Sequence, residues 1–600
     1  MVPASTAQDN VIYDDLFLYE DVEKLYLSPG EGAELMVIDR VNGRTEVQEK
    51  KVQLEGLRPS KRVCGVLGLM HLSGGSYLVL AAHRLYVGIV NGQVVWKMAG
   101  ATLMPLQHQQ ALTSKQQSQN DTYLSMLQKI LDTPYFYFSY TYDLTHTLQR
   151  LHSMPTTFNQ SSLLDRADKR FVWNGYMLKN FNCVGMNRFA LPLLLGFVSI
   201  NQASINNSSF NWIIVTRRSV ERAGTRLFCR GIDDNGHVAN FVETEQIVEC
   251  NGDKVSFVQT RGSMPFYWHQ TPNLRYKPPP EIVPGKDHIT SCSKHFDEQL
   301  AFYGRQVCIN LVDQKKAEGE LEKTYKLIVA QLNSPAVRYE AFDFHKECKG
   351  MKYQRANILI DRLTPELEQF SVFHLRSDGV LLSVQNGMFR TNCIDCLDRT
   401  NVIQSMFARR SLNDTFVKLG LLQSGFKFEN VAPSFELTFK NVWADNADLI
   451  SKQYSGTGAL KTDFTRTGKR TKNGLLKDGV NSMARYYLNN FSDGFRQDAI
   501  DLFLGKYTVK SGEGSAAVPS PLEFAKGWRY GTFPSILLFA IAMFFASALF
   551  PTEYDTENLL FLLFWGTMVG LTTMGIFRYG VEFVDWPKLN PLKRDYQQNI

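Results

Sequence analysis

Two uninterrupted apolar segments stand out in the hydrophobicity pattern near the C-terminal end of the chain. Residues 533–550 and residues 559–577 contain no charged residue. At 1.5 Å per residue, helices of this length measure about 27 to 29 Å, which matches the hydrocarbon core of a bilayer. Core helices of soluble proteins rarely lack every polar face. The pattern therefore predicts two transmembrane helices.

The charges around these segments predict their orientation. The connection, residues 551–558, carries acidic residues and no Lys or Arg, whereas basic residues flank the outer ends. Because positive loops stay in the cytosol, we expect a lumenal connection and a cytosolic tail at residues 578–600. The N-terminus lacks a secretory signal and is expected to be cytosolic. Spans this short suit the thin bilayer of the endoplasmic reticulum or early Golgi.

The rest of the chain divides by its periodicity. Residues 1–180 alternate β-branched and aromatic residues with turn signals, which predicts a β-rich domain with one helix within residues 107–132. Residues 181–506 mix strand-like and amphipathic helical patterns, as α/β domains do. Within them, the apolar stretch 190–200 is too short to span a membrane and predicts a buried strand or helix. Residues 507–532 begin with a Gly-, Ser- and Pro-containing stretch that predicts a flexible linker.

Composition restricts the function only weakly. A formal charge of +6 over 600 residues does not by itself indicate a nucleic-acid-binding protein. The nine cysteines are scattered, and only Cys393 and Cys396 lie close together. A disulfide scaffold would be short and cysteine-rich, so the chain is expected to be reduced and cytosolic. Any chemistry must therefore come from a local cluster.

Such a cluster is the loop Cys-Ile-Asp-Cys-Leu-Asp-Arg-Thr at residues 393–400. In a C-x5-R-T loop, backbone amides can surround a phosphate, Arg399 can bind two of its oxygens, and Cys393 can attack phosphorus. The strand-like segment 379–384 and the helix-like segment 401–410 supply the expected flanking elements. A helix N-terminus and Arg399 favour the thiolate of Cys393. Thr400 is expected to donate a hydrogen bond to its sulfur.

Two carboxylates in the loop are candidates for proton transfer. Asp398 is the preferred general acid because its place beside Arg399 turns it toward the mouth of the loop. Asp395 could instead order the loop or the attacking water, and the choice between the two stays open. We interpret His345, in the segment Phe-Asp-Phe-His, as a core histidine and leave it out of the site.

Cys393 and Cys396 also form a C-x-x-C pair, which can bind zinc or form a disulfide. No second pair of Cys or His residues lies nearby at metal-binding spacing, and two carboxylates with an arginine suit phosphate better than a metal. We therefore expect neither a metal nor another cofactor. A reversible Cys393–Cys396 disulfide that switches off the nucleophile is a regulatory hypothesis.

A longer segment, residues 390–401, reads Arg-Thr-Asn-Cys-Ile-Asp-Cys-Leu-Asp-Arg-Thr-Asn and closely resembles the signature of the suppressor-of-actin (Sac-domain) phosphoinositide phosphatases. Further segments resemble family blocks in the family's order, namely residues 221–226, 240–246, 259–265, 443–446 and 456–470. The resemblance covers nearly the whole chain. It implies an α/β, cysteine-phosphatase-like catalytic domain at residues 181–506, between a β-rich N-terminal domain and a two-helix transmembrane hairpin.

Together with the two apolar segments, the resemblance implies the membrane-anchored type of the family. That type resides in the endoplasmic reticulum and Golgi and removes the 4-phosphate from phosphatidylinositol 4-phosphate, while also accepting phosphatidylinositol 3-phosphate. It uses a cysteine nucleophile and no metal. The expected partners are membrane phosphoinositides and not nucleic acid, and the sequence names no protein partner.

Six basic residues and one acidic residue occupy residues 461–477. We expect Lys461, Arg466, Lys469 and Arg470 to face phosphate or an anionic leaflet, although charge runs are usually solvated surface loops. The segment has few aromatic residues, which disfavours nucleic-acid binding. Two alternatives for the whole protein remain. One is a catalytically silent membrane anchor that only binds phosphoinositides, and the other is a phosphoprotein phosphatase, which leaves the hairpin unexplained.

Overall fold

The computed structural model describes residues 11–50, 54, 56–107, 112–181, 185–523, 527–550 and 555–590. The strands among them are β1 (Leu16–Glu20), β2 (Lys24–Pro29), β3 (Glu34–Asp39), β4 (Thr45–Glu49), β5 (Lys61–Val63), β6 (Gly65–Leu72), β7 (Gly75–Val90), β8 (Gln93–Pro105), β9 (Phe136–Phe138), β10 (Leu194–Ile205), β11 (Ser208–Arg218), β12 (Val242–Cys250), β13 (Asp253–Arg261), β14 (Trp268–His269), β15 (Glu281–Ile282), β16 (Arg305–Asn310), β17 (Val337–Ala341), β18 (Phe373–Leu375), β19 (Leu381–Ser383) and β20 (Gly387–Asn392).

The α-helices in the same residues are α1 (Ser114–Leu131), α2 (Leu148–Ser153), α3 (Leu163–Arg166), α4 (His288–Tyr303), α5 (Lys316–Leu332), α6 (Phe344–Glu347), α7 (Asn357–Arg362), α8 (Thr364–Phe370), α9 (Asp398–Lys418), α10 (Phe428–Val431), α11 (Pro433–Ser455), α12 (Thr462–Thr467), α13 (Lys472–Phe491), α14 (Asp493–Phe503), α15 (Trp528–Leu549) and α16 (Thr556–Arg578). The predicted helix within residues 107–132 is α1, and residues 108–111 lie outside the described part.

A small antiparallel sheet forms the N-terminal end, with strand order β4-β3-β2-β1-β5. Alternate residues of β1, Leu16 and Leu18, are fully buried in its core, as the period-two pattern requires. The β-rich character predicted for this part of the chain is therefore confirmed.

A second, mixed sheet of 13 strands runs through the boundary expected at residue 180. Its main path is β17-β16-β20-β13-β12-β11-β10-β9-β8-β7-β6, and the pairing of β9 with β10 joins the two halves. Strand β10 accounts for the apolar stretch 190–200, so the prediction of a buried strand or helix there is confirmed. The pairings of β17, β16, β20 and β13 along this path are parallel.

The parallel part of the sheet is covered on both faces. On β16, Val307 and Ile309 belong to a core shared with α7, α8 and α9, whereas Cys308 belongs to a core shared with α4 and α5. In such a layered α/β arrangement, ligands bind beyond the carboxyl ends of the parallel strands. The loop that follows β20 lies at that edge.

Two long apolar helices, α15 and α16, follow α14 near the C-terminal end of the described residues. They are long and apolar enough to span a membrane, and they are almost entirely exposed, unlike the core helices of soluble proteins. They cover the segments predicted at 533–550 and 559–577, starting five and three residues earlier. Arg529 Nη1 lies 2.5 Å from Glu582 Oε1, so the two outer ends meet. Residues 551–554, which are half of the predicted lumenal connection, and residues 591–600 lie outside the described residues.

The segments on either side of these helices pack against the folded body. Before them, Glu513 is buried and accepts hydrogen bonds from Tyr123 and Tyr507. After them, the backbone amides of Lys588 and Leu589 donate to the carboxylate of Asp498 on α14. The prediction of a flexible linker is therefore wrong for the part around Glu513. The Gly-, Ser- and Pro-containing composition of this segment gave no sign of its polar contacts with the folded body.

Candidate active site

The loop 393–397 joins β20 to α9 at the carboxyl edge of the parallel strands. Cys393 is 3% exposed, and Cys396 adopts a left-handed backbone conformation with φ of 53°. Helix α9 starts at Asp398, and the Leu397 side chain makes no capping hydrogen bond to it. The amides of the first turn, which have no partner within a helix, thus face the loop without a side-chain cap. This is the strand, loop and helix order that the motif predicted.

The strand before the loop differs from the prediction. Segment 379–384 contains β19, which pairs with β18 in a peripheral hairpin, and the strand that enters the loop is β20. The last three residues of β20, Arg390, Thr391 and Asn392, are fully buried although they are polar. Arg390 Nη2 donates to the carbonyl oxygen of Ser263 at 2.7 Å. The prediction was wrong because β20 ends in three buried polar residues and therefore lacks the apolar pattern of a buried strand.

Two arginines hold Asp395. Arg226 Nη2 lies 2.9 Å from Asp395 Oδ2, and Arg230 Nη2 lies 2.6 Å from Asp395 Oδ1. Arg230 also donates to the carbonyl oxygen of Ile394 at 2.9 Å. Burial by itself raises the pKa of Asp395, but the two guanidinium groups outweigh it and hold that pKa well below its usual range. Asp395 is therefore an ionised residue that fixes the loop.

Asp398 lies in a different environment, in the first turn of α9. Its Oδ1 accepts a hydrogen bond from the backbone amide of Leu460 at 3.0 Å. Burial raises the pKa of Asp398, and the charge of Asp395 adds to the effect, while Arg485 opposes it. The loop thus contains one carboxylate that stays ionised and one that retains its proton to higher pH. When the pKa values of two neighbouring carboxyl groups are shifted in opposite directions, the group with the raised pKa is suited to donate a proton and the other stays an anion.

Arg399 binds two carboxylates, one in the loop that follows β16 and one in the first turn of α5. Its Nη1 lies 3.1 Å from Glu318 Oε2 and 3.3 Å from Asp313 Oδ1, and it donates to the carbonyl oxygen of Leu311 at 3.1 Å. Burial lowers its pKa, but Cys393, Glu318 and Asp313 raise it overall, so Arg399 stays charged. The carboxylates of Glu318 and Asp313 therefore orient the guanidinium.

His345 belongs to this neighbourhood, and its interpretation as a core histidine was wrong. Its side chain is 58% exposed, and its Nδ1 lies 2.6 Å from Asp313 Oδ1. The sequence could not reveal this contact, because 32 residues separate the two side chains.

The remaining loop residues are buried. Thr400 Oγ1 has no hydrogen-bond partner within the described residues, which leaves its hydroxyl available. Cys396 Sγ donates to the carbonyl oxygen of Cys393 at 3.4 Å. Burial, with the neighbouring Cys393, raises the pKa of Cys396 to about 12. Both cysteines are free thiols.

Sequence reasoning assigned no role to the arginines around the loop. Arg261 is fully buried, its Nη2 lies 3.3 Å from Asn401 Oδ1, and its Nε and Nη1 have no partner among the described residues. Arg226 and Arg261 both lie in segments that resemble family blocks, which was the available signal. Arg230 lies four residues beyond such a segment, and nothing in the sequence pointed to it.

In the structure, ion pairs compensate part of the positive charge of the basic segment 461–477. Arg466 pairs with Asp445 at 2.6 Å, and Arg470 pairs with Asp463 at 2.5 Å. Lys461 and Lys469 are exposed. The segment starts beside the site, because the preceding residue, Leu460, donates to Asp398.

Comparisons with known proteins identify the family of the chain. The family model described as "SacI homology domain" matches residues 64–349. The chain is 59% identical to the Drosophila melanogaster protein "Phosphatidylinositol-3-phosphatase SAC1" over 586 residues, which are 97% of this chain and 98% of that protein. It is 45% identical to the Danio rerio "Phosphatidylinositol-3-phosphatase SAC1-B", covering 96% of this chain and 98% of that protein.

The chain is also 38% identical to the Saccharomyces cerevisiae "Phosphatidylinositol-3-phosphatase SAC1", over 88% of this chain and 85% of that protein. These matches extend over nearly the whole length of each protein. The chain therefore belongs to the Sac-domain family of phosphoinositide phosphatases.

Proposed function

We propose that this protein is an integral-membrane phosphatase that hydrolyses phosphatidylinositol 4-phosphate, and also phosphatidylinositol 3-phosphate, through a phosphocysteine at Cys393. The observation that carries the proposal is the loop between β20 and α9, with Cys393 at its start, an ionised Asp395 and a proton-retaining Asp398. The relatives are named for the 3-phosphate. The 4-phosphate comes from the family resemblance of the sequence.

The roles of the residues follow from their surroundings. The thiolate of Cys393 attacks phosphorus while Arg399 and the first-turn amides of α9 hold the phosphate oxygens. The phosphate replaces the carboxylates of Asp313 and Glu318 as the partner of Arg399. Asp398 gives its proton to the leaving inositol hydroxyl and then accepts one from the attacking water. The Thr400 hydroxyl hydrogen-bonds to the sulfur as the thiolate is released.

The same proposal covers the membrane location. Helices α15 and α16 span the membrane of the endoplasmic reticulum and Golgi as a hairpin, with the catalytic domain and both termini in the cytosol. Lys461 and Lys469 face the anionic leaflet, because their exposed side chains remain available for it. Arg466 and Arg470 contribute less, since carboxylates already neutralise them.

Phosphate release from liposomes tests the proposal. Full-length protein is supplied with liposomes that contain one monophosphorylated phosphoinositide each, in the presence of a chelator. We expect release from the 4-phosphate and the 3-phosphate by the wild type and by Cys396→Ser, and none by Cys393→Ser. Equal release by the wild type and Cys393→Ser would exclude Cys393 as the nucleophile. Binding without any release would favour a catalytically silent, phosphoinositide-binding anchor.

Reversible oxidation of the loop is a second part of the proposal. Cys396 Sγ contacts the residue that carries the nucleophile, so a Cys393–Cys396 disulfide needs only local movement. The disulfide would remove the thiolate and stop turnover until a reductant restores it. Thiol mapping after peroxide treatment should find the pair linked when activity is lost, and two unmodified thiols in inactive protein would contradict this.

A further inference from the structure

Helix α13 presents an exposed apolar stripe that no other described element covers. Its members are Leu476, Val480, Met483, Tyr487 and Phe491, and their side chains are between 42% and 76% exposed. At 100° per residue, these five positions fall within an arc of about 80° on the helix surface. Scattered apolar residues are normal on protein surfaces, but a contiguous row of large ones marks an interaction surface.

The opposite face of α13 is fixed to the catalytic body. Arg485 donates to Thr457 Oγ1 at 2.9 Å and to the carbonyl oxygen of Gly458 at 2.9 Å. Asn489, on the same face, is buried. These contacts fix the rotation of α13 about its axis. The stripe therefore stays on the outer side of the helix.

The charges around the stripe are basic and favour an anionic surface as its partner. Lys472 lies at one edge of the stripe, about 20° beyond Met483, and Lys477 lies at the other edge, about 40° beyond Phe491. The acidic residue of the helix, Asp478, is turned away, because it accepts from the backbone amide of Lys461 at 3.0 Å and pairs with Arg470. A row of apolar side chains with lysines at its edge is the pattern of a helix that lies in the interface of an anionic membrane.

The C-terminal end of α13 is joined to the base of the α15–α16 hairpin. The backbone amide of Asp585, seven residues after α16, donates to the carbonyl oxygen of Asn490 at 2.7 Å. The backbone amide of Leu274 donates a hydrogen bond to Asn490 Oδ1, and the Leu274 side chain packs in one cluster with Phe583 and Val584. Phe533 and Ile576, from the two apolar helices, pack against the same cluster. The C-terminal end of α13 therefore lies beside the base of the hairpin, at the level where the hairpin leaves the membrane.

We propose that the stripe of α13 inserts into the cytosolic leaflet of the membrane that holds the hairpin. This inference rests on the proposal that α15 and α16 span the membrane. With 20 residues, α13 is about 30 Å long, and it leads from the hairpin base toward the segment whose Leu460 contacts Asp398. A helix lying in the interface keeps the mouth of the loop at the level of the lipid headgroups. The enzyme then acts on substrate in its own membrane.

Photo-crosslinking tests the contact directly. A photoreactive benzoylphenylalanine replaces Met483, which is 76% exposed, or Leu327 on α5, a control that is 63% exposed, in full-length protein reconstituted into vesicles of phosphatidylcholine and phosphatidylserine. We expect lipid adducts at position 483 and none at position 327. A crosslink to a second protein copy at position 483, or no adduct there, would overturn the proposal. The vesicles contain no phosphoinositide, so the outcome does not depend on catalysis.

A kinetic experiment measures what the contact does. The double substitution Leu476→Ser and Met483→Ser is compared with Leu327→Ser in the same proteoliposomes. We expect the double variant to hydrolyse bilayer-embedded phosphatidylinositol 4-phosphate at least tenfold more slowly and the water-soluble dibutanoyl analogue at the wild-type rate. An unchanged rate on the bilayer substrate, or equal losses on both substrates, would overturn the proposal. Failure of the wild type on both substrates would instead refute the proposed function, and the lipid adducts would still decide the inference.

Discussion

The two aspartates of the loop should fail in different ways when each is replaced by asparagine. Asp395→Asn keeps the shape of the side chain but removes the counter-ion of Arg226 and Arg230. Arg230 is 1% exposed, so its charge stays buried without compensation. Removal of one partner from a buried ion pair costs about 3–5 kcal/mol. Because Asp395 and Arg226 are 16% and 18% exposed, we expect the lower end, about 3 kcal/mol of unfolding free energy.

Asp398→Asn should leave stability nearly unchanged and stop the chemistry. The side chain accepts one hydrogen bond, from the amide of Leu460, and the amide oxygen of asparagine can accept it too. Burial already disfavours the charged form of Asp398, so a neutral side chain suits the site. We expect a change in unfolding free energy within about 1 kcal/mol. A lost general acid should lower the turnover rate by about 10²–10⁴-fold, or about 3–5 kcal/mol of activation free energy.

Both variants are measured as full-length protein in detergent micelles for thermal unfolding and in proteoliposomes for phosphate release. The wild-type rate should fall as the pH rises through the raised pKa of Asp398, because the proton-donating form disappears, and Asp398→Asn should lack that decline. The assignment is refuted if Asp398→Asn keeps more than about a tenth of the wild-type rate. It is also refuted if Asp395→Asn loses rate by more than about 10²-fold without losing stability.

Three further outcomes follow from individual side chains. Arg399→Lys removes the planar fork that binds two phosphate oxygens, and phosphate release from liposomes should fall by about 10²–10³-fold. Thr400→Val removes a buried hydroxyl without a described partner, so the unfolding free energy should stay within about 1 kcal/mol of the wild-type value. The first turnover should be normal, and the later turnovers, which need release of the thiolate, should be slower. Burial raises the pKa of Asp493 to about 6, so the folded state holds an extra proton between pH 4 and 6, and stability is lost as the pH rises through 6. Asp493→Asn should therefore raise the unfolding free energy at pH 8 by up to about 3 kcal/mol and have little effect at pH 4, which thermal scans at both values would check.

Parts of the fold were predictable because they depend on local patterns. The uncharged segments at 533–550 and 559–577 predicted α15 and α16, and period-two alternation predicted the N-terminal strands. Strand β20 escaped prediction because its last three residues, Arg390, Thr391 and Asn392, are polar although they are buried. The continuous sheet across residue 180 also escaped, since the pairing of β9 with β10 joins segments more than 50 residues apart.

The site also combines features that the local sequence predicts with features that depend on distant residues. The spacing of Cys393, Arg399 and the two aspartates is contained in eight consecutive residues, so the sequence alone brings them together. Their division of labour depends on partners far along the chain, since Arg230 and Asp395 are 165 residues apart. The sequence alone gives no electrostatic reason to prefer Asp395 or Asp398 as the general acid. In the structure, the surroundings lower the pKa of Asp395 and raise the pKa of Asp398, which favours Asp398.

The covalent role of Cys393 is the central claim, and trapping the intermediate tests it most directly. Full-length protein is mixed with liposomes that carry phosphatidylinositol 4-phosphate labelled with ³²P in the 4-phosphate, and the first turnover is stopped with acid at short intervals. Peptide mapping should find label that rises and then decays on the peptide containing Cys393, and none in Cys393→Ser. Release of one phosphate per enzyme with no label on that peptide at any interval, or label on another residue, would contradict the account.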